Sequence, residues 1–337
     1  MRWEAFLVGK LFVGIALTMA AFLAGRPAHA APVYVALGDS ITFGETDLNY
    51  VQSFGDRGYV SLFADTLAAR NGGIRPAVVN LAIDGETASS FMTNAGRTPP
   101  VMGRGDAPLQ LENLNYGNST SISQGALFTS TVAAQRAQGN TISTVTVTLG
   151  FNELAALVPM QNTPAAEAAA IAQIPGTLAA YRANYTAVLN EIRSLAPNAN
   201  LYLLGYYNPF PADPNSPAAP VFNAGGTALN GVIQDLAGQF GAAYVANAAP
   251  FVGNEARYTY QAVQPAGSSV SGQFGGVLPI GNVHPNALGY SVIAADLAAA
   301  TVPFPVPEPG SWPVLAAGLG ALGLTMQRRR TGAGGAR

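Results

Sequence analysis

The sequence predicts an α/β fold, a three-layer α/β/α sandwich built on one open five-stranded parallel sheet. Three observations predict it. Short apolar runs alternate with helical patterns from Pro32 to Thr301. The runs are β-rich and apolar on both sides, as parallel strands covered by helices must be. Hydrophobic residues make up 49% of the chain and charged residues 10%, which supplies a large core and excludes disorder. Alternation of this kind builds a single layered sheet, and no internal repeat interrupts it.

In chain order the predicted strands are Val33–Leu37, Ala77–Leu81, Val145–Leu149, Leu201–Gly205 and Ala243–Ala246. The predicted helices are Tyr59–Arg70, Gln124–Gln138, Ala165–Leu195, Thr227–Phe240 and Asn286–Ala300. The third helix is alanine-rich, and Pro175-Gly176 predicts a break within it. Three stretches read as long loops: Ser89–Ser123, Asn208–Pro220 and Tyr258–Gly281. They follow strands or lead toward His284, so they are expected to wall a pocket at the strand ends. Phe91, Met92, Phe210 and Phe222 either line an acyl pocket there or plug the core.

Both ends carry their own patterns. Arg2 and Lys10, an apolar run from Leu11 to Ala24 and Ala28-His29-Ala30 form a secretory signal over 1–30, cut after Ala30. At the other end Val306-Pro307-Glu308-Pro309 precedes an apolar stretch from Trp312 to Met326 and then Arg328-Arg329-Arg330. A proline-rich stop, a short membrane-seeking helix and a basic anchor would hold the chain transiently in the inner membrane with its body outside. This segment, 303–337, resembles a PEP-CTERM sorting tail. The resemblance implies processing by an exosortase and a place in the envelope, or outside it, of a Gram-negative bacterium. The remaining residues, 31–302, form one domain.

Composition also excludes chemistry. The net charge of -2 and the lack of a basic stripe give no reason to expect nucleic acid. The 0 cysteines remove disulfides, thiol catalysis and thiolate metal sites, and the 2 histidines make a zinc site improbable. No metal or cofactor is expected. Since His29 falls in the leader, His284 is the one candidate for a base titrating near neutrality.

Ligands of an open α/β sheet bind beyond the carboxyl ends of its strands. Ser40 follows the first strand in Gly38-Asp39-Ser40, Gly85 the second and Asn152 the third, in Gly150-Phe151-Asn152. His284 opens the last helix, with Pro285 at the first helical position. The run Ala36-Leu37-Gly38-Asp39-Ser40-Ile41-Thr42, with Gly85, Gly150-Phe151-Asn152 and His284-Pro285, resembles the SGNH (GDSL) hydrolases from Val33 to Ala300. The resemblance implies a flavodoxin-like sheet and an exported serine esterase or lipase acting on carboxylic esters. It makes Ser40 the nucleophile and His284 the base. The N–H groups of Ser40 and Gly85 and the Asn152 amide become the oxyanion hole, with Asp39 a turn-stabilising residue.

Two positions depart from the family pattern. The aspartate expected three residues before the histidine is Gly281, and the aspartate expected after the asparagine is Glu153. The first departure requires another group to orient the imidazole: the Gly281 carbonyl or a loop carboxylate, with Asp84, Glu153 and Asp296 unranked. It also keeps two alternatives in view, an impaired glycan-binding envelope protein and a polysaccharide O-acyl transferase. The ester itself is left open among lipid, short-chain and acylated polysaccharide.

Overall fold

The structure, a computed structural model, describes residues 31–46, 58–94, 113–117, 121–161, 163–270 and 276–301. The secretory signal, the sorting segment and its short apolar helix lie outside the described residues, as does much of the Ser89–Ser123 stretch. Among the described residues no helix is long and apolar enough to cross a membrane.

Five strands form the sheet: β1 (Pro32–Gly38), β2 (Ala77–Asn80), β3 (Thr141–Thr148), β4 (Asn200–Leu204) and β5 (Ala243–Val245). Their order is β2-β1-β3-β4-β5 and every pairing is parallel. This is the flavodoxin-like doubly wound order. Such a sheet must be covered on both faces, and Val33 through Leu37 are all 0% exposed. Phe63 on helix α2 meets Tyr34 of β1 and Tyr202 of β4 edge-on, at 5.6 and 5.4 Å. Burying one such aromatic side chain contributes roughly 1.5–3 kcal/mol, so this layer is anchored mainly by apolar contact.

The helices are α1 (Ser40–Phe43), α2 (Gly58–Arg70), α3 (Ala88–Thr93), α4 (Gln124–Ala137), α5 (Phe151–Ala155), α6 (Pro164–Leu195), α7 (Ala219–Gln239), α8 (Ala248–Phe251), α9 (Glu255–Tyr258) and α10 (Ala287–Ala300). The short helices α1, α3, α5, α8 and α9 were not expected, α3 lying largely in a stretch read as loop, and three of the predicted helices differ from expectation. Helix α6 runs unbroken through Pro175. Pro175 and Gly176 face solvent between buried Ile174 and Leu178, so water can satisfy the carbonyl that proline leaves without a donor. Helix α7 begins at Ala219, two turns before the predicted start, with Pro220 in its first turn where a missing N–H costs nothing. Helix α10 is capped by Asn286, whose side chain accepts from the N–H groups of Leu288 and Gly289 at 3.0 Å. Pro285 therefore lies outside the helix, in a bridge with Thr259. That leaves His284 outside the helix, two residues ahead of the cap.

Candidate active site

The Gly38-Asp39-Ser40 turn is built where β1 meets β3. Gly38 pairs with Thr148 and has φ 131°, and a Cβ there would lie 2.2 Å from the Thr148 carbonyl oxygen. Only glycine permits that approach. Asp39 caps α1: its carboxyl accepts from the Ile41 N–H at 3.1 Å, the Thr148 hydroxyl at 2.9 Å and the Tyr206 hydroxyl at 2.6 Å. Thr42 extends this network, 2.6 Å from both Thr148 Oγ1 and Tyr59 OH. Burial pushes the Asp39 carboxyl up to about 7, against the lowering effect of those hydrogen bonds. Three donors already occupy it, so its role is to shape the turn. The turn closes on Ser40, whose carbonyl accepts from the N–H groups of Gly44 and Glu45, both at 3.0 Å.

The second and third blocks lie on either side of that turn. Ile83 donates its N–H to Gly38 O at 3.0 Å, which carries β2's pairing past the end of the strand and brings Asp84-Gly85 alongside. Gly85 has φ 72°. Gln124 clamps this end of the sheet. Its Oε1 accepts from Gly38 N at 2.6 Å, and its Nε2 donates to Gly38 O at 2.9 Å and to Glu86 Oε2 at 3.1 Å. Asn152, on α5, donates Nδ2–H to the Glu86 carbonyl at 2.9 Å. The amide of Asn152 is thus aimed at the backbone beside Gly85. Glu153 turns away and accepts from the Ala88 N–H at 2.7 Å, capping α3. Burial raises its carboxyl to about 7.

His284 is held by a loop and not by the sheet. Its Nδ1 is 2.7 Å from Asn282 Oδ1, which also accepts from the backbone N–H of His284 at 3.1 Å. That second bond fixes the identity of the amide oxygen, and Asn282 Nδ2 donates to Thr46 O at 3.0 Å and Gln264 Oε1 at 2.6 Å. Since the amide oxygen can only accept, Nδ1 carries the hydrogen, and in the neutral ring Nε2 keeps its lone pair. The orienting group is therefore Asn282, which corrects the expectation of a Gly281 carbonyl or a loop carboxylate at that nitrogen. Glu153 caps α3 instead, and Asp296 lies on α10, its carboxyl raised by partial burial. Nor could position 281 hold the family's aspartate here. Gly281 has φ 79°, and a Cβ would lie 2.4 Å from Gln261 Nε2 and 2.9 Å from Gln264 O.

Nε2 looks toward carboxylates. Glu45 Oε2 is 3.6 Å away, and Glu45, Asp84 and His284 bring one ligating atom each within 4.8 Å of one another. Such spacing would admit a cation, but only by taking the Nε2 lone pair that a base requires. Ser40 and His284 form no hydrogen bond with each other. Glu45 is the physical link between them, through its N–H on Ser40 O and its carboxylate at Nε2. Catalytic contacts commonly tighten only when substrate binds.

Sequence reasoning missed Glu45, Glu86, Gln124 and Asn282. One signal was available for the first two. In a chain with only 18 acidic residues, Gly44-Glu45 and Gly85-Glu86 each place a carboxylate right after a strand-end turn. Of the loop aromatics, Phe91 and Phe210 are core residues at 0% and 1% exposure, and Met92 is exposed. Phe222 borders a cleft of about 240 Å³ together with Tyr206, Tyr207, Asn223, Phe251 and Glu255.

The GDSL-like lipase/acylhydrolase family model matches residues 36–292, and a PEP-CTERM protein-sorting motif matches residues 305–330. No curated protein matches the chain. Among solved structures, phospholipase A1 from Streptomyces albidoflavus NA297 is 22% identical, with 81% of this chain and 100% of that one covered and a TM-score of 0.48. A lipase from a goat rumen metagenome is 17% identical over 80% and 97% of the two chains, with a TM-score of 0.49. An acetylxylan esterase from Geobacillus stearothermophilus is 14% identical over 80% and 94%, with a TM-score of 0.45. With one family's pattern running from the strand that leads into Ser40 to the helix that follows His284, the chain belongs to the GDSL-like lipase/acylhydrolase family.

Proposed function

We propose that this hydrolase is an exported serine esterase that cleaves carboxylic esters through an acyl-enzyme on Ser40, in the single domain 31–302. Ser40 Oγ attacks the ester carbonyl, and its proton passes to His284 Nε2. The carbonyl carbon gains the Oγ bond and loses its bond to the leaving alkoxide, which takes the proton back from Nε2. Water then repeats the sequence in reverse roles and frees the acid. The N–H groups of Ser40 and Gly85 and the Asn152 side-chain amide bind the oxyanion, and no metal or cofactor takes part. Donors placed where charge develops are often the largest catalytic contribution, each worth roughly 10²–10³ in turnover.

The observation that carries this reading is the pair of contacts that His284 makes to Asn282 Oδ1. The His284 N–H pins the oxygen of Asn282, the oxygen pins the hydrogen on Nδ1, and the lone pair is left on Nε2. An impaired, merely binding protein gains no support from the missing aspartate. The loop around Gly281 is rebuilt, with an amide oxygen where a carboxylate was expected. The PEP-CTERM motif indicates export and sorting to the cell envelope, so the ester substrate is met outside the cytoplasm after transient residence in the inner membrane and exosortase processing. A fluorophosphonate probe is expected to label the wild-type protein and to leave Ser40→Ala unlabelled. Equal labelling of the two proteins would remove Ser40 from the role.

A further inference from the structure

The geometry points to Glu45 as the positioning residue that stabilises the imidazolium of His284. The inference rests on His284 being the base proposed above. Glu45 is fully buried, and Asp84 is only partly so. Its backbone is pinned on both sides: the N–H donates to Ser40 O at 3.0 Å, and the carbonyl accepts from Tyr290 OH at 2.5 Å. The carboxylate is therefore delivered from the nucleophile's own turn to within 3.6 Å of Nε2.

That distance exceeds a hydrogen bond, so Glu45 attracts the imidazolium without taking its proton. The proton stays available for the leaving alkoxide. The effect is also selective for the transition state. Two carboxylates, Glu45 and Asp84, converge on one ring, and their attraction for it strengthens when the ring becomes positive. The ring becomes positive when it takes the serine proton. An interaction that strengthens at that moment accelerates the chemistry, where uniform binding would not. Burial preserves it, because solvent screening is weak away from the surface.

Other titratable groups pack around His284 but are engaged elsewhere. Tyr207 OH donates to Val283 O at 2.8 Å and Tyr290 OH to the Glu45 carbonyl. On α9, Glu255 Oε1 accepts from Gly253 N, and the Arg257 guanidinium lies 5.5 Å from the Tyr258 ring centre.

The full chain with His29→Gln leaves His284 as its single histidine, so its ring signals can be followed by NMR through a pH titration. In a Glu45→Gln background the titration midpoint should lie below that of the parent, the direction expected for losing a close opposite charge. The acid limb of the kcat/KM profile for a short acyl ester should move with it, with turnover at neutral pH down roughly tenfold. Adding Asn282→Asp, which puts a carboxylate on Nδ1, should raise the midpoint again. Glu45→Asp keeps the charge and withdraws it by one methylene. It should give an intermediate midpoint, and it serves if the Gln variant does not fold. An unchanged midpoint in Glu45→Gln overturns the inference, as does turnover that EDTA abolishes and a divalent cation restores. The readouts separate cleanly. A protein whose midpoint responds to Glu45 but whose Ser40 resists the fluorophosphonate retains the charge contact and loses the esterase reading.

Discussion

Ser40 sits on a turn at the end of the sheet, held by strand carbonyls and N–H groups, by the hydroxyls of Thr148 and Thr42, and by the side chains of Gln124 and Tyr206. His284 sits on a loop held by backbone bonds to the 258–264 segment and by side-chain amides, those of Gln261, Gln264 and its own Asn282. The first region reuses the hydrogen-bonding groups that make a parallel sheet. The second lies off the main ladder: its backbone pairs with the 258–264 segment, Tyr260 N–H on His284 O at 3.0 Å and Asn282 N–H on Gln264 O at 2.8 Å, and side-chain amides complete the rest. Rigidity on the serine side therefore comes with the fold, whereas on the histidine side it depends on particular residues. Three substitutions break or sharpen that contrast.

The largest effect is expected at Gly38. Gly38→Ala places a methyl group 2.2 Å from a strand carbonyl, at a φ of 131° that side chains rarely adopt. Strain and overpacking of this kind cost about 1–3 kcal/mol each. Together they threaten the whole margin of a domain stable by roughly 5–15 kcal/mol. Loss of soluble protein, or a urea midpoint far below wild type, is the expected result. A Gly38→Ala protein that unfolds with the wild-type midpoint would show that β1 and β3 need not approach so closely.

This asymmetry also governs what could be read from the residues alone. The five strands were legible because apolar runs with both faces covered leave a strong pattern, and Val33–Leu37 is buried throughout. Ser40, Gly85 and Asn152 could be put forward from the residues alone because each follows such a run within a few positions. What positions His284 was not. Asn282 is two residues away in sequence, yet its role depends on Thr46 and Gln264, which only the fold brings together. Glu45 was missed for the same reason: nothing in its neighbours says that it faces a histidine more than two hundred residues on. The break expected at Pro175 failed on a tertiary fact, since it assumed that a proline on the solvent face interrupts a helix whose other face is held by the core.

A middle-sized effect is expected at Gly281. Gly281→Asp restores the residue that the family pattern calls for, and a reading based on sequence predicts better catalysis. The structure predicts the opposite. The new Cβ would meet Gln261 Nε2 at 2.4 Å and Ala266 N at 2.9 Å, at a φ of 79°. Gln261 Nε2 donates to the Ile280 carbonyl at 2.9 Å, so displacing it loosens the loop that carries the histidine. Stability should fall by about 1–3 kcal/mol, with kcat lowered or unchanged. A variant both faster and as stable would show that the loop re-forms around a carboxylate, and the distinction between the two regions would weaken.

The smallest effect is a slope. Asp39 and Glu153 both belong to the sheet side, and burial raises both carboxyls to about 7 from ordinary values of 3.8 and 4.5. Between those values the folded protein holds protons that the unfolded chain has released. Stability is therefore fully present below pH 4 and declines as pH rises toward 7, at up to about 1.4 kcal/mol per pH unit for each group. Above pH 7 the loss from these two is complete. Glu153→Gln removes one of them and can keep the acceptor that caps the Ala88 N–H, so urea midpoints measured from pH 4.5 to 7 should fall less steeply in the variant. Parallel slopes would mean that Glu153 is ionised in the folded state across that range. The buried carboxyls behind the serine would then be charged, and the rigidity of that side would have to withstand a field that the network around Asp39 alone would have to contain.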